Sequence, residues 1–148
     1  MITGLTHTCI YVLDQDSAKE FYVDKLGFVL RNDLVMDAGF EGAGKGFRWL
    51  TVSAPDQPDI EFILANPDMG HSPGHGDAIR DLVAKGAMAT TALSTDDCRK
   101  TFAELSGRGV VFLQEPQERP YGIEAVFRDD SGNSFSLCEV TDPVPSTE

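Results

Sequence analysis

The sequence predicts an α+β fold made of two tandem β-α-β-β-β modules within 148 residues. Several short segments alternate apolar and polar residues with the period of two that marks a half-buried strand. One helical segment in each half follows aspartates and ends at glycine. The second half repeats this order about 82 residues after the first, so that Asp14 and Gly27 correspond to Asp96 and Gly109. Such a repeat indicates that neither unit buries its apolar face alone.

The first module is expected over residues 3–66. In its first strand, "HTCIYVLD", alternation assigns residues to two faces. One face carries Thr8, Ile10 and Val12, and the other carries His7, Cys9 and Tyr11. A helix follows, with Asp14, Asp16 and Ser17 as candidates for its N-cap and Gly27 at its end. The segments "FVLRNDLVM", "FRWLTVS" and "DIEFILA" have the composition of strands and complete the module.

A connector is expected over residues 67–86, where a Gly, Pro and His-rich stretch precedes a short helical pattern. The second module, residues 87–140, starts with the strand "MATTALST". Asp96 or Asp97 then caps a helix, which Gly107 and Gly109 stop. Strands "VVFLQ", "IEAVFRD" and "SFSLCEV" follow, and residues 141–148 are expected to form a tail.

Composition limits the partners. A formal charge of −12 disfavours nucleic acid, because phosphate binding requires clusters of Lys and Arg. No apolar run approaches the roughly 20 residues of a membrane helix. Three cysteines at wide spacing are typical of free thiols rather than a disulfide framework. We therefore expect a cytoplasmic protein without a nucleic-acid or membrane partner.

The loop "GFEGAGKG", residues 39–46, spells the start of a phosphate-binding P-loop. Gly46 stands where that motif needs Ser or Thr, and the segment after it is strand-like rather than helical. A helix N-terminus to hold phosphate is therefore missing, and the sequence does not predict a nucleotide site here.

Three longer segments carry a family resemblance: "HTCIYVLDQDSAKEFYVDKLGF", "LSTDDCRKTFAELSGRGVVF" and "FRDDSGNSFSL". Together they resemble the vicinal oxygen chelate superfamily, which includes glyoxalase I, bleomycin-resistance proteins and extradiol dioxygenases. The resemblance implies a single domain in which the two modules form an incompletely closed, cup-shaped mixed sheet, with helices outside and a small-molecule ligand inside. It also implies a homodimer.

In metal-dependent members of this superfamily, four side chains point into the cup. Carried over by the resemblance, these positions in this chain are His7, Glu61, Thr90 (or Ala89 if the register shifts by one residue) and Ser136. His7 and Glu61 are side chains that metals accept, whereas the neutral hydroxyls of Thr90 and Ser136 are poor ligands. The resemblance therefore implies half of a metal site, and activity of the glyoxalase I type is not expected.

Glu124 leaves two interpretations open. By the resemblance, Glu124 and Val126 face the cup, so that Glu124 would complete a set with His7 and Glu61 for one divalent ion (Mn, Fe, Co, Ni or Zn). Without a metal, Glu61 and Glu124 would be candidate catalytic carboxylates, one acting as general base. In the other interpretation Glu124 tilts into solvent.

The remaining candidates are ligand-binding residues on the same strand faces. They are Cys9, Tyr11, Thr90, Val126 and Ser136, together with Trp49 or Arg48 from the third strand, between which strand alternation does not decide.

Two function classes follow. One is a small-molecule-binding protein of the glyoxalase/bleomycin-resistance type, with no complete metal site. The other is a divalent-metal-dependent lyase, isomerase or dioxygenase in which His7, Glu61 and Glu124 hold an ion that polarises substrate oxygens. A purely structural or protein-interaction module is less favoured, because polar groups in an open cup cost free energy.

Overall fold

The computed structural model describes residues 1–36, 47–70 and 74–141. Its elements follow the predicted order, with a β-α-β-β-β module, a connecting helix and a second β-α-β-β-β module. The α+β class with two modules is therefore confirmed. The Gly-rich loop of residues 39–46, His71 of the connector and the tail beyond Thr141 lie outside the described residues.

The chain divides into two compact units. The first comprises Met1–Ala87 together with Asp130–Gly132, and the second comprises Met88–Asp129 and the chain from Asn133 onward. The elements of the first unit are β1 His7–Tyr11, α1 Gln15–Glu20, β2 Val29–Met36, β3 Phe47–Ser53, β4 Glu61–Ala65 and α2 His75–Ala84. Its sheet has the order β1-β4-β3-β2, in which only β1 and β4 are parallel.

Helix α1 begins at Asp14, whose Oδ1 accepts the backbone N–H of Ser17 at 2.8 Å. Of the three candidates, Asp14 is therefore the N-cap, because its extended backbone lets the carboxylate reach this free N–H. The helix continues as a π-helical turn, Phe21–Lys25, and ends at Gly27, whose φ is 77°. Glycine adopts this left-handed conformation without a steric cost.

The two faces of the first sheet differ in composition. One face, here called the helix face, carries buried apolar side chains, and the Phe28 ring after α1 stacks on Phe62 with 5.9 Å between ring centroids. Its buried members are Ile10, Leu50, Val52 and Leu64. The opposite face of the sheet is here called the site face. By strand alternation it presents His7 from β1, Trp49 and Thr51 from β3, and Glu61 from β4.

A β-bulge in β2 changes which of its side chains lie on the site face. Leu30 pairs with Val52, but Asn32, two residues later, pairs with Thr51, the immediate neighbour of Val52. The extra residue, Arg31, shifts the alternation by one. Asn32 therefore lies on the site face, although an unbroken strand would place it on the same face as Leu30.

The second unit repeats this plan with β5 Thr91–Ser94, α3 Cys98–Gly107, β6 Val111–Arg119, β7 Gly122–Arg128 and β8 Ser134–Val140. Its sheet has the order β5-β8-β7-β6, again with a parallel pair of first and last strands. Stacked rings of Phe127 and Phe135, with centroids 5.3 Å apart, lie in its core. The phenylalanine side chains of β6 and α3, Phe112 and Phe102, meet edge to face against this core.

Asp97, not Asp96, is the N-cap of α3, and its Oδ1 accepts the N–H of Lys100 at 2.9 Å. Glu139 Oε2 accepts a second N–H at this terminus, that of Cys98, at 2.9 Å. The interval from Asp97 to Gly109 is one residue shorter than that from Asp14 to Gly27. The π-helical turn of the first unit accommodates the additional residue, since each π turn holds one more residue than an α turn.

Strand β6 extends to Arg119, beyond the predicted segment "VVFLQ". It contains Pro116, which lies within a register shift between Gln114 and Gln117 and which an outermost strand tolerates because its outward N–H groups need no partner. A shift in register separates Phe112, which pairs with Phe127, from Gln114, which pairs with Val126. This bulge has the same place in its strand as the bulge before Asn32, so the repeat includes both irregularities.

No helix in residues 1–36, 47–70 and 74–141 is long and apolar enough to cross a membrane.

Gly122 provides a test of the second sheet. Its φ is 146°, and an added Cβ would collide with the carbonyl oxygen of Glu139 on the neighbouring strand. We expect Gly122→Ala to lower the free energy of unfolding by about 2 kcal/mol or more, measured by urea denaturation.

The control is Gly107→Ala at the end of α3, where an added Cβ meets nothing within 4 Å. Because alanine favours helix, this variant should be as stable as the parent or up to about 1 kcal/mol more stable. Equal losses in both variants would contradict the close approach at Gly122.

Candidate functional site

The parallel pairing of β1 with β4 places His7 directly beside Glu61. His7 Nε2 lies 3.4 Å from Glu61 Oε2, and the two side chains are 35% and 17% exposed. On its other side, His7 Nδ1 is 3.1 Å from Thr6 Oγ1. The first strand and the last strand of the module thus supply a histidine–glutamate pair that solvent and ligands can still reach.

The Glu61 carboxylate is held from β3 and β2. Thr51 Oγ1 donates to Glu61 Oε1 at 2.6 Å, and Asn32 Nδ2 donates to the same oxygen at 3.3 Å. Asn32 also donates to Thr51 Oγ1 at 3.0 Å. These bonds satisfy one oxygen of a carboxylate that is largely withdrawn from water, which would otherwise cost free energy.

Neither Thr51 nor Asn32 was predicted from the sequence as a site residue. Thr51 is two residues after Trp49, so strand alternation places both on the same face. This alternation could have predicted Thr51 as a site residue. Asn32 depends on the β2 bulge, which no pattern in the sequence indicates.

Aromatic rings border this pair. The Trp49 ring lies 5.7 Å from the His7 ring between centroids, with the planes tilted by 49°. Phe47 lies on the same side of β3, and its ring centroid is 6.3 Å from that of Trp49. Of the two residues that the sequence left open on the third strand, Trp49 therefore shares a face with His7 and Glu61.

Arg48 lies on the helix face and is engaged there. Its guanidinium donates to both oxygens of Asp33, at 2.8 and 3.1 Å, and to Asp16 at 2.6 Å. Lys19 donates to Asp33 at 2.8 Å. Hydrogen bonds from Arg48 and Lys19 hold the pKa of the Asp33 carboxyl well below its usual value. Arg48 thus joins β3 to β2 and α1 behind Trp49.

Cys9 and Tyr11 follow His7 on the same face of β1. Desolvation is the main cause that raises the pKa of the Cys9 thiol, although part of the residue is exposed. Desolvation likewise raises the pKa of the Tyr11 hydroxyl, and Cys9 adds to this. Both groups are therefore neutral at physiological pH, and the Cys9 thiol has none of the thiolate character of an activated nucleophile.

The second sheet carries its own glutamate on the face opposite α3. Glu124 Oε2 accepts hydrogen bonds from Ser136 Oγ at 2.8 Å and from the Tyr121 hydroxyl at 2.9 Å. Arg119 Nε lies 3.7 Å from Oε1. The bond from Ser136 is the main cause that lowers the pKa of Glu124, and Tyr121 and Arg119 lower it further. Only 20% of the side chain is exposed, so Glu124 does not tilt into bulk solvent.

Of the other candidates of the second unit, Val126 and Ser136 share a sheet face with Glu124, whereas Thr90 lies beside the opposite end of β7. Val126 pairs with Ser136 across β7 and β8, which puts both on the face of Glu124. Thr90 precedes β5, and its hydroxyl is 2.8 Å from that of Ser134. Where the first unit pairs an imidazole with a carboxylate, the second therefore pairs two neutral hydroxyls.

The metal that the superfamily implies does not fit these donors. His7 and Glu61 are metal-ligating types, whereas Thr90 and Ser136 carry neutral hydroxyls that favour neither transition metals nor zinc. In the part of the chain that the structure describes, no group of three or more His, Cys, Asp or Glu side chains could hold a metal ion. A catalytic zinc site needs three protein ligands.

The comparison with known families agrees with this architecture. The profile of the Glyoxalase/Bleomycin resistance protein/Dioxygenase superfamily matches residues 4–137. The chain belongs to this superfamily.

Several known proteins are similar to this chain over nearly their whole length. The crystal structure of UcmS2 is 44% identical with a TM-score of 0.84, and the match covers 94% of this chain and 99% of that one. TnmS3, an antibiotic binding protein from Streptomyces sp. CB03234, is 32% identical with a TM-score of 0.70, over 95% and 98% of the two chains. YurT, an uncharacterized protein of Bacillus subtilis (strain 168), is 34% identical over 132 residues, which are 89% of this chain and 95% of YurT.

The Asp33 cluster on the helix face predicts a pH dependence of stability. A carboxyl whose pKa is depressed by folding stabilises the fold above its unfolded pKa, near 4, and this stability is lost as the pH falls toward the folded value. Asp33→Asn should therefore lower the free energy of unfolding by about 1–3 kcal/mol at pH 7, and the difference should narrow below about pH 4.

Urea denaturation at a series of pH values measures this effect. The control is Asp81→Asn, whose exposed pair with Lys85 should contribute well under about 1 kcal/mol. A loss for Asp33→Asn that stays constant from pH 7 to pH 3 would contradict the role of its charge.

Proposed function

We propose that this protein binds a small, partly aromatic organic molecule at the site face of its first sheet, without a complete metal site. The observation that carries the proposal is the group formed by Trp49, His7 and Glu61. Two rings with centroids 5.7 Å apart stand beside a carboxylate that neighbouring side chains hold in place. Binding sites for small molecules combine such apolar or aromatic surface with a few fixed polar groups.

A relative supports this class of function. TnmS3, which is similar to this chain over nearly its full length, is described as an antibiotic binding protein. We extend small-molecule binding from that protein to this chain, and we propose sequestration rather than chemical conversion of the ligand. The raised pKa of Cys9 is consistent with this, since the thiol on the site face is not ionised.

The second candidate is a metal-dependent lyase, isomerase or dioxygenase using His7, Glu61 and Glu124. The 3.4 Å separation of His7 Nε2 and Glu61 Oε2 is the observation in its favour. Against it, Glu124 Oε2 already accepts hydrogen bonds from Ser136 and Tyr121, and the positive charge of Arg119 lies 3.7 Å from Oε1, where it would repel a metal ion.

Metal titration separates the two candidates. We expect chelator-treated protein to show no stoichiometric binding of Mn²⁺, Fe²⁺, Co²⁺, Ni²⁺ or Zn²⁺ by calorimetry at micromolar concentration. One equivalent of bound metal that is lost in His7→Ala and retained in His75→Ala would instead favour the enzyme.

The quaternary state and compartment also belong to the proposal. The outermost strands β2 and β6 carry exposed apolar side chains, among them Leu34, Val35 and Leu113, and burial in a homodimer would remove these from water. Sedimentation equilibrium measures the mass directly.

Cys9, Cys98 and Cys138 are free thiols, which is consistent with the reducing cytoplasm.

Trp49 tests the binding site itself. Replacing it by Leu removes the ring beside His7 but keeps an apolar side chain, so the fold should be retained. We expect Trp49→Leu to weaken binding of an aromatic probe, 2-naphthol, by about tenfold, because aromatic contacts contribute about 0.5–1.5 kcal/mol beyond buried area.

Equilibrium dialysis measures the dissociation constant without relying on the fluorescence of Trp49, the single tryptophan of the chain. Leu82→Ala on the exposed side of α2 is the control and should bind as the parent does. Unchanged binding in Trp49→Leu would place the ligand elsewhere.

A further inference from the structure

The structure carries an inference about the ligand, which rests on the proposed function. We infer that the ligand bears a hydrogen-bond donor, an O–H or N–H group on its aromatic part, and that Glu61 Oε2 accepts it. Thr51 and Asn32 act as positioning residues that fix the Glu61 carboxylate for this contact.

The two oxygens of Glu61 have different surroundings. Oε1 receives Thr51 Oγ1 at 2.6 Å and Asn32 Nδ2 at 3.3 Å. Within the described ranges, Oε2 is approached by His7 Nε2, at 3.4 Å. A carboxylate oxygen has two lone pairs, so Oε2 retains acceptor capacity beside the imidazole.

That free acceptor lies next to the aromatic rings. His7 contacts both groups: its Nε2 lies 3.4 Å from Glu61 Oε2, and its ring centroid lies 5.7 Å from that of Trp49. A planar ligand against Trp49 therefore brings its substituents toward Oε2. A donor there would form a charge-assisted hydrogen bond, whereas an ether in the same place would leave a desolvated carboxylate oxygen unpaired.

Charge excludes the opposite class of ligand. Among the described residues, Glu61 is paired with the imidazole of His7 and not with a Lys or Arg side chain, and the whole chain has a formal charge of −12. Glu124, by contrast, has Arg119 at 3.7 Å. An anionic aromatic molecule would meet repulsion at Glu61, so the ligand's aromatic part is neutral or cationic.

The positioning role follows from the β2 bulge. A bulge costs ladder hydrogen bonds and is often placed where a side chain must be re-aimed. Here it directs the Asn32 amide to both Thr51 Oγ1 and Glu61 Oε1. The Thr51–Asn32–Glu61 triangle leaves the carboxylate one orientation, with Oε2 toward His7.

Three aromatic probes test the inference by equilibrium dialysis. They share a naphthalene ring and differ in one group: 2-naphthol donates a hydrogen bond, 2-methoxynaphthalene cannot donate, and 2-naphthoate is an anion. We expect the parent protein to bind 2-naphthol about tenfold or more tightly than the ether, and to bind the anion weakest.

Variants then locate the preference. Glu61→Gln replaces the charged carboxylate by a neutral amide. The ratio of the dissociation constants of the ether and 2-naphthol should then fall to within about twofold, while the ether still binds. Thr51→Val should reduce the preference, and Thr51→Ser, which keeps the hydroxyl, should restore it. Glu104→Gln on α3 is the charge control and should leave it unchanged.

The outcomes separate the inference from the proposed function. Equal binding of naphthol and ether by the parent overturns the donor inference and leaves aromatic binding intact. Binding of neither at millimolar concentration overturns the proposed aromatic site, and the inference with it. A parallel loss for both probes in Thr51→Val would assign Thr51 a structural role only and remove the positioning claim.

Discussion

The structure depends on one pairing in each module: the first strand lies parallel to the last, although all other strand contacts are antiparallel. A parallel pair needs a long crossover connection, and each module supplies one through its helix and two further strands. In the first unit this pairing sets His7 against Glu61, so residues far apart in sequence become neighbours. In the second unit the same pairing leads to the contact of Thr90 with Ser134.

The repeat is close in backbone but different in chemistry. Both units place an amide after a bulge in the outermost strand, Asn32 in one and Gln114 in the other. Asn32 donates to the carboxylate of Glu61, whereas Gln114 donates to the backbone carbonyl of Glu124 and accepts from Arg119. In the proposed function Glu61 keeps Oε2 for an external partner, whereas Glu124 Oε2 accepts hydrogen bonds from Ser136 and Tyr121 of its own unit.

Period-two alternation and helix caps were enough to predict the order of elements, because both are local properties of the chain. Features that depend on contacts between distant parts of the chain were not predicted, because local patterns do not determine them. The predicted segment "VVFLQ" ended at Gln114, yet β6 continues through Pro116 because it is outermost in its sheet. Asn32 could not be assigned to a face, since a single extra residue reverses the alternation. Trp49 and Arg48 could not be separated until the pairing partners of β3 were known.

The placement of Arg48 and Trp49 also links stability to the proposed binding site. They are consecutive residues and point to opposite faces of β3. A displacement of this strand that moves one side chain therefore also moves the other. The bidentate contact of Arg48 with Asp33, together with its contact with Asp16, holds β3 to β2 and α1. Planar Arg–carboxylate pairs are geometrically specific, which makes them suited to fixing a register. The charged groups on the helix face thereby fix the strand that carries Trp49 and Thr51. The entropy cost of ordering these two side chains is therefore incurred during folding and not during the proposed ligand binding.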